Sequence, residues 1–327
     1  MSPSRAWKVV VTDATFSPLD LEEEVLRQLG CRIEAAQCRT VEEVAALVAG
    51  ADAVLTQFAP VKAPAIAAMG SCRVIVRYGI GVDNVDLQAA AARGIPVCNV
   101  PDYCIDEVAD HTLALLLSLT RRVVANHLWV RGGEWGLAGR LEQMLALKYL
   151  TVGLVAFGRI AREVAARLQP FKCRVLVHDP HVEAAVILQA GCTPASLEEV
   201  LTGSEVVSLH CPSTERTRGM INAQTLASMK PGALLVNASR GDLVVTEDLV
   251  AALQSGHLGG AALDVTSPEP PPADHPLRSM DNVVLSSHVA SATVQAVRHL
   301  RTRAAHAVAA ALRGEALPNV VNGVTPR

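Results

Sequence analysis

A chain of 327 residues with a formal net charge of −3 is long for a single core and suits two domains. Half of it is apolar but only 3% is aromatic, so the interior is expected to be aliphatic, as in parallel strands buried on both faces. Lys and Arg are scattered and form no basic stripe, which argues against a direct nucleic-acid partner.

The N-terminus, MSPSRAWKVVVTD, enters a short strand and meets Asp13 at once, leaving no room for a signal peptide. No apolar run approaches the ~20 residues that span a bilayer, so no membrane partner is expected. Cysteines at 31, 38, 72, 98, 104, 173, 192 and 211 form no C-x-x-C pair and are expected to be reduced thiols, which predicts a cytoplasmic protein.

From 7 to about 100, strand-like and helix-like segments alternate: WKVVVTD, LEEEVLRQLG, CRIEAAQ, VEEVAALVAG, ADAVLTQ, CRVIVRY, LQAAAARG and IPVCNV. Such alternation predicts a parallel sheet with right-handed crossovers. The stretch 106–122 predicts one long buried helix, N-capped by Asp106 and closed by Arg121 and Arg122. Being apolar nearly all round, it is expected to pack against a second domain or subunit.

A second alternation runs from 150 to 288 through TVGLVAFG, REVAARLQ, CRVLVHD, EVVSLH, GALLVNA, GGAALDV and NVVLSSH. The Pro-rich 267–276 segment reads as a loop. A last helix at roughly 291–313 ends at Gly314, a good residue to stop on, and its position predicts that the chain returns to the first domain. The fold class is therefore α/β, with two doubly wound parallel-sheet domains.

The strand TVGLV is followed by Ala156, Phe157, Gly158, Arg159, Ile160 and Ala161, then a helix, then a strand ending in Asp179. This is a G-x-G-x-x-G/A dinucleotide turn whose first glycine is Ala156. Asp179 lies near the ~20-residue offset of the acid that meets the adenosine ribose, which favours NADH over NADPH. If the backbone at Ala156 is left-handed, an alanine there costs about 1–2 kcal/mol, enough to weaken cofactor binding about tenfold. His178 and His181 flank Asp179, but no third ligand is suitably spaced, so no metal site is expected.

Arg240, Glu269 and His288 each follow a strongly apolar strand-like run. In a parallel sheet all three would emerge near the carboxyl edge, where open α/β folds bind ligands. A fixed guanidinium can hold a carboxylate, and a histidine beside a carboxylate can move a proton.

Seven motifs carry a resemblance that extends over nearly the whole chain: RYGIGVDNVDL (77–87), NVPDYCIDEVAD (99–110), VGLVAFGRIAREVA (152–165), HCPSTERTRGMIN (210–222), MKPGALLVNASRGDLV (229–244), GGAALDV with SPEP (259–270) and HPLRSMDNVVLSSH (275–288). The sequence resembles the D-isomer-specific 2-hydroxyacid dehydrogenase family. The resemblance implies two Rossmann-like domains, an NAD-binding domain at 104–291 inserted into a substrate domain made of 1–103 and 292–327, and a homodimer. It implies reduction of a small 2-keto acid, with Arg240 on the substrate carboxylate, His288 as acid and base, and Glu269 raising the histidine pKa.

The same resemblance puts Gly158, Arg159, Ile160, Pro212, Thr217, Asn237 and Ala238 beside the cofactor, with Asp264 orienting the nicotinamide carboxamide. It puts Gly79, Ile80 and Gly81 at the substrate carboxylate, with Tyr78 beside them, while Arg77 is either on a second anionic group of a longer substrate or structural. Ser286 and Ser287 stand where the family commonly has Thr-Pro, which frees the backbone just ahead of His288. NVPDYCIDEVADH also resembles the C-terminal-binding proteins, a corepressor branch that uses this fold and NAD to recognise peptides. An NAD-dependent binding protein is thus the alternative to the enzyme.

Overall fold

The computed structural model describes residues 6–325. The chain divides into two compact units, Met1–Cys104 with Thr293–Arg327, and Ile105–Ala292. Each is an α/β layer structure built on a wholly parallel sheet.

The first unit holds β1 (Lys8–Val11), β2 (Arg32–Ala35), β3 (Ala53–Thr56), β4 (Val74–Arg77) and β5 (Val97–Cys98) in the spatial order β2-β1-β3-β4-β5. Successive strand residues point to opposite faces, and the core divides accordingly. Val9, Val11, Leu55 and Val76 pack on one side with Leu300, Ala304 and Val308 of the helix Val294–Arg313. Val10, Val54, Ile75 and Val97 pack on the other with Val44 and Ile66.

The helix Val294–Arg313 begins at Thr293, whose side chain accepts from the Ala296 amide, and ends at Gly314 in the left-handed conformation, φ +72°. Its Arg301 is buried and reaches the fully buried Glu22 of the helix Asp20–Leu26. Nη2 donates to Oε2 at 2.7 Å and Nε to Oε1 at 3.1 Å, while the Tyr78 hydroxyl donates to the same Oε1 at 3.0 Å.

The second unit holds β6 (Thr151–Val155), β7 (Arg174–His178), β8 (Thr193–Pro194), β9 (Val206–Leu209), β10 (Ala233–Asn237), β11 (Leu258–Leu263) and β12 (Val283–Leu285). Their order is β12-β11-β10-β9-β6-β7-β8, so the direction of winding reverses between β6 and β9. In open α/β sheets the crevice beyond the carboxyl ends of such a strand pair is where ligands bind.

The expected helix over 106–122 is the helix Ile105–Thr120, which stops just short of Arg121 and Arg122. It begins one residue before Asp106, which therefore lies in its first turn and not at the cap. It packs against the helix Arg159–Leu168, β10 and β11 of its own unit, which take up the apolar surface expected to meet a second domain. Arg122, at φ +50°, breaks the chain direction, and a second helix, Val123–Arg131, follows with Leu128, Trp129 and Val130 exposed.

Candidate active site

The dinucleotide-type turn sits at the carboxyl end of β6. Ala156 is at φ +79°, a left-handed conformation that glycine adopts freely and alanine does not. Its amide donates to the His178 carbonyl at 2.7 Å, and the next amide, of Phe157, donates to Asp179 Oδ2 at 2.7 Å. The other carboxylate oxygen of Asp179 accepts from the His181 amide at 2.8 Å. Asp179 is thus fixed at the end of β7 by the turn it faces.

Gly158 is the N-cap of the helix Arg159–Leu168, and a Cβ placed there would have no heavy atom within 4 Å, so the approach to the helix N-terminus is open. Beyond it, Val177, Asp179, Val182, Ile187, Pro194 and Ala195 line a cleft. Across the sheet reversal, Pro212 follows β9; its carbonyl accepts from the Thr217 hydroxyl at 2.6 Å, which also accepts from the Thr214 amide at 2.8 Å. Burial holds the Cys211 thiol up at about 11 and pushes the neighbouring His210 imidazole down to about 4, so both stay neutral near pH 7.

Arg240 stands just past β10 in extended backbone. Asn237 braces that turn: its Nδ2 donates to the Arg240 carbonyl at 2.8 Å and its Oδ1 accepts from the Ser239 amide at 3.0 Å, with Ala238 between. Arg240 Nη1 donates to the Ser239 carbonyl at 2.7 Å. Gly241 lies so close to the Thr266 backbone that any side chain at 241 would collide with it, which seats the Arg240 turn against the segment leading to Glu269.

His288 Nδ1 meets Glu269 Oε1 at 2.6 Å. The carboxylate contact fixes the orientation and tautomer of the imidazole ring. His288 is itself in left-handed backbone, φ +55°.

Asp264 anchors that turn. Its carbonyl accepts from the His288 amide at 2.8 Å, Oδ1 from the Ser286 hydroxyl at 2.6 Å and the Val289 amide at 3.0 Å, and Oδ2 from the Ala290 amide at 2.9 Å. Ser286 Oγ is also 2.9 Å from Nε2 of His111, on the helix Ile105–Thr120. The carboxylate expected to orient a nicotinamide carboxamide is thus heavily engaged within the protein.

In the first unit, Arg77 closes β4 and is followed by the glycine-rich 79–81 segment. Gly79 has φ +147°, and a side chain there would run into the Arg77 guanidinium. The Tyr78 ring does not line a ligand site as expected: it is 1% exposed, packed edge-on to Phe16, with its hydroxyl on Glu22, so only its backbone is available at this edge. Asp13, after β1, accepts from the Gln57 and Phe58 amides at 2.9 and 2.6 Å. That fixes the loop on which Phe58, 46% exposed, lies over the Arg77 guanidinium.

The second unit coincides with a family model. Residues 113–290 match "D-isomer specific 2-hydroxyacid dehydrogenase, NAD binding domain". A glyoxylate reductase of Korarchaeum cryptofilum is 39% identical over 265 residues, 80% of each chain. The chain belongs to the D-isomer specific 2-hydroxyacid dehydrogenases.

Among other members, a D-3-phosphoglycerate dehydrogenase of Mycobacterium leprae is 38% identical over 278 residues, 85% of this chain but 52% of that one. The chain therefore spans about half the length of the phosphoglycerate dehydrogenases it matches. The crystal structure of a D-lactate dehydrogenase from Aquifex aeolicus, complexed with NAD and lactic acid, superposes with a TM-score of 0.85 at 28% identity, covering 94% of this chain and 96% of that one.

The residues present fit NAD. The turn after β6 keeps the left-handed geometry of the fingerprint despite Ala156, the helix N-terminus behind Gly158 is open to a pyrophosphate, and Asp179 is fixed beside it. Sequence reading missed three groups that shape these edges: Asp13, Phe58 and His111. An Asp-His pair inside an otherwise apolar helix was the one visible signal for the last.

Proposed function

We propose that this protein is an NAD-dependent reductase of a small 2-keto acid, acting reversibly on the D-2-hydroxy acid. The observation that carries the reading is the 2.6 Å contact between Glu269 and His288, in the unit where Arg240 closes the adjacent strand. When bound, the reduced nicotinamide supplies a hydride to the substrate carbonyl carbon. Arg240 holds the substrate carboxylate through its two-pronged guanidinium. His288 gives a proton from Nε2 to the carbonyl oxygen, and Glu269 stabilises the imidazolium and fixes the ring. In the oxidative direction the same nitrogen takes the proton back.

The first unit is assigned to the substrate and the second to the cofactor. The backbone of Gly79, Ile80 and Gly81 is assigned to the substrate carboxylate, and Arg77 to a second anionic group. Pro212, Thr217, Asn237 and Ala238 are assigned to the nicotinamide side of the cofactor, and Asp179 to the ribose, which favours NADH over NADPH. A homodimer is supported by the apolar side chains left in water at Val123, Leu128, Trp129, Trp135, Leu141 and Tyr149. The location is assigned to the cytoplasm.

The test is loss of NADH absorbance with a panel from glyoxylate and hydroxypyruvate to branched and phosphorylated 2-keto acids. Turnover of one member, abolished in His288→Ala, is the expected result. Tight NADH binding with no turnover anywhere on the panel would move the assignment to an NAD-dependent binding protein.

A further inference from the structure

We propose that His111 is a positioning residue for proton transfer, acting through Ser286 and Asp264 on the turn that carries His288. This inference rests on the assignment of His288 as the acid and base. It adds a residue some 175 positions away in sequence from the serine it touches, on a different structural element.

The donors and acceptors fix the direction of the chain of hydrogen bonds. Asp264 is 2% exposed and its carboxylate accepts only, so the 2.6 Å contact takes the single proton of the Ser286 hydroxyl. Ser286 Oγ is then left with lone pairs alone, and the 2.9 Å contact to His111 requires the histidine Nε2 to carry the hydrogen. The same nitrogen lies 3.5 Å from Asp264 Oδ1, so its hydrogen points into a buried anion. The order is therefore His111 to Ser286 to Asp264.

The load on Asp264 explains what this relay does. A histidine at φ +55° sits in backbone that side chains other than glycine rarely adopt. It is kept there by four hydrogen bonds converging on one residue, from the Ser286 hydroxyl and the amides of 288, 289 and 290. Ser286 is the only one of these donors whose direction is free to rotate, since a hydroxyl turns about its bond while an amide does not. His111, projecting from the helix Ile105–Thr120, takes away that freedom by holding the hydroxyl lone pair. Ser287 makes the relay matter more: without a proline before His288, the backbone ahead of the turn has no ring to stiffen it.

The experiment compares His111→Leu, Ser286→Ala and His111→Gln with the unaltered protein in two readouts. The first is hydrogen exchange of the Val289 and Ala290 amides, which needs no substrate. The second is kcat against the KM for NADH, together with the solvent isotope effect on kcat. The expected result for His111→Leu and Ser286→Ala is exchange faster by about tenfold at these two amides and kcat lower by about tenfold, the equivalent of one hydrogen bond to a charged group. The KM for NADH should be unchanged, and the isotope effect should rise as proton transfer becomes slower than the other steps. His111→Gln, whose amide nitrogen can replace Nε2, should recover much of kcat.

Exchange at 289 and 290 that stays unaltered in His111→Leu overturns the proposal. So does faster exchange with unaltered kcat and isotope effect, because the relay would then support the loop without serving the reaction. Loss of folding shows as faster exchange across the whole sheet, and in that case His111→Gln decides: recovered folding with kcat still depressed as in Leu overturns the donor role. A failure of the underlying reading is separate and visible first, as an unaltered protein that turns over no keto acid, or one whose turnover survives His288→Ala.

Discussion

Replacing Ala156 by glycine tests whether the departure from the dinucleotide fingerprint is borne by folding or by cofactor binding. At φ +79° an L-residue is disfavoured by about 1–2 kcal/mol, and glycine removes that cost. Glycine also loosens the unfolded chain, which offsets about 0.4–1 kcal/mol of the gain. The net expectation is a second unit more stable by roughly 0.5–1 kcal/mol, or about 1–4 °C in melting temperature for a unit of this size.

The hydrogen bonds from Ala156 to His178 and from Phe157 to Asp179, both 2.7 Å, tie the turn to β7, so the strained conformation belongs to the fold itself. A penalty present before and after binding cancels from affinity, so the Kd for NADH should change by less than about twofold. This differs from the tenfold weakening the fingerprint alone suggests. Thermal melts and fluorescence titration with NADH measure the two quantities on one preparation. Binding about tenfold tighter in Ala156→Gly with an unmoved melting temperature would refute the reasoning, since the strain would then arise on binding.

Arg240→Ala should lower kcat/KM by about 10²–10³-fold while leaving NADH affinity intact, and Arg240→Lys should recover only part because an ammonium lacks the two-pronged geometry. An unchanged kcat/KM in the alanine variant would remove Arg240 from the substrate carboxylate. Asp179→Ala should narrow the preference for NADH over NADPH by about tenfold, and a ratio that does not move would end the argument for ribose recognition. The buried His210, held down near 4, binds fewer protons folded than unfolded between that value and its ordinary 6.5. Its contribution is therefore fully present above about pH 6.5 and is lost as pH falls toward 4, on the order of 1–3 kcal/mol. Denaturant melts across that window should show the slope in the unaltered protein and a shallower one in His210→Gln; equal slopes would exclude His210 as its source.

The strands and their parallel pairing were legible because short, near-continuous apolar runs bounded by turn residues leave few alternatives to a sheet buried on both faces. The end of the buried helix at Arg121 and Arg122 was legible too, but the new helix that starts at Val123 was not, since a left-handed arginine at 122 carries no local signal. At the site, Ala156 announced its own strain, because the fingerprint states what backbone that position takes. Tyr78 was misread for the opposite reason: a tyrosine beside a glycine loop looks like a ligand contact, and its buried partner Glu22 lies 56 positions away. Asp264 and His111 show the same limit. Their contacts to Ser286 span 22 and 175 positions, distances at which spacing in a sequence says nothing about touching in space.

The buried Glu22–Arg301 pair joins residues 279 positions apart, with the entire second unit between them. A chain made from its N-terminus therefore offers all five strands of the first sheet long before the helix that covers one face of it exists. Until that helix emerges, Val9, Val11, Leu55 and Val76 lack the cover of Leu300, Ala304 and Val308 on that side, and Glu22 lacks the Arg301 guanidinium that neutralises it. The second unit, contiguous in sequence, has everything it needs to close first. Order of synthesis and order of assembly thus run opposite ways along this chain, and its earliest residues are the ones exposed longest to wrong partners.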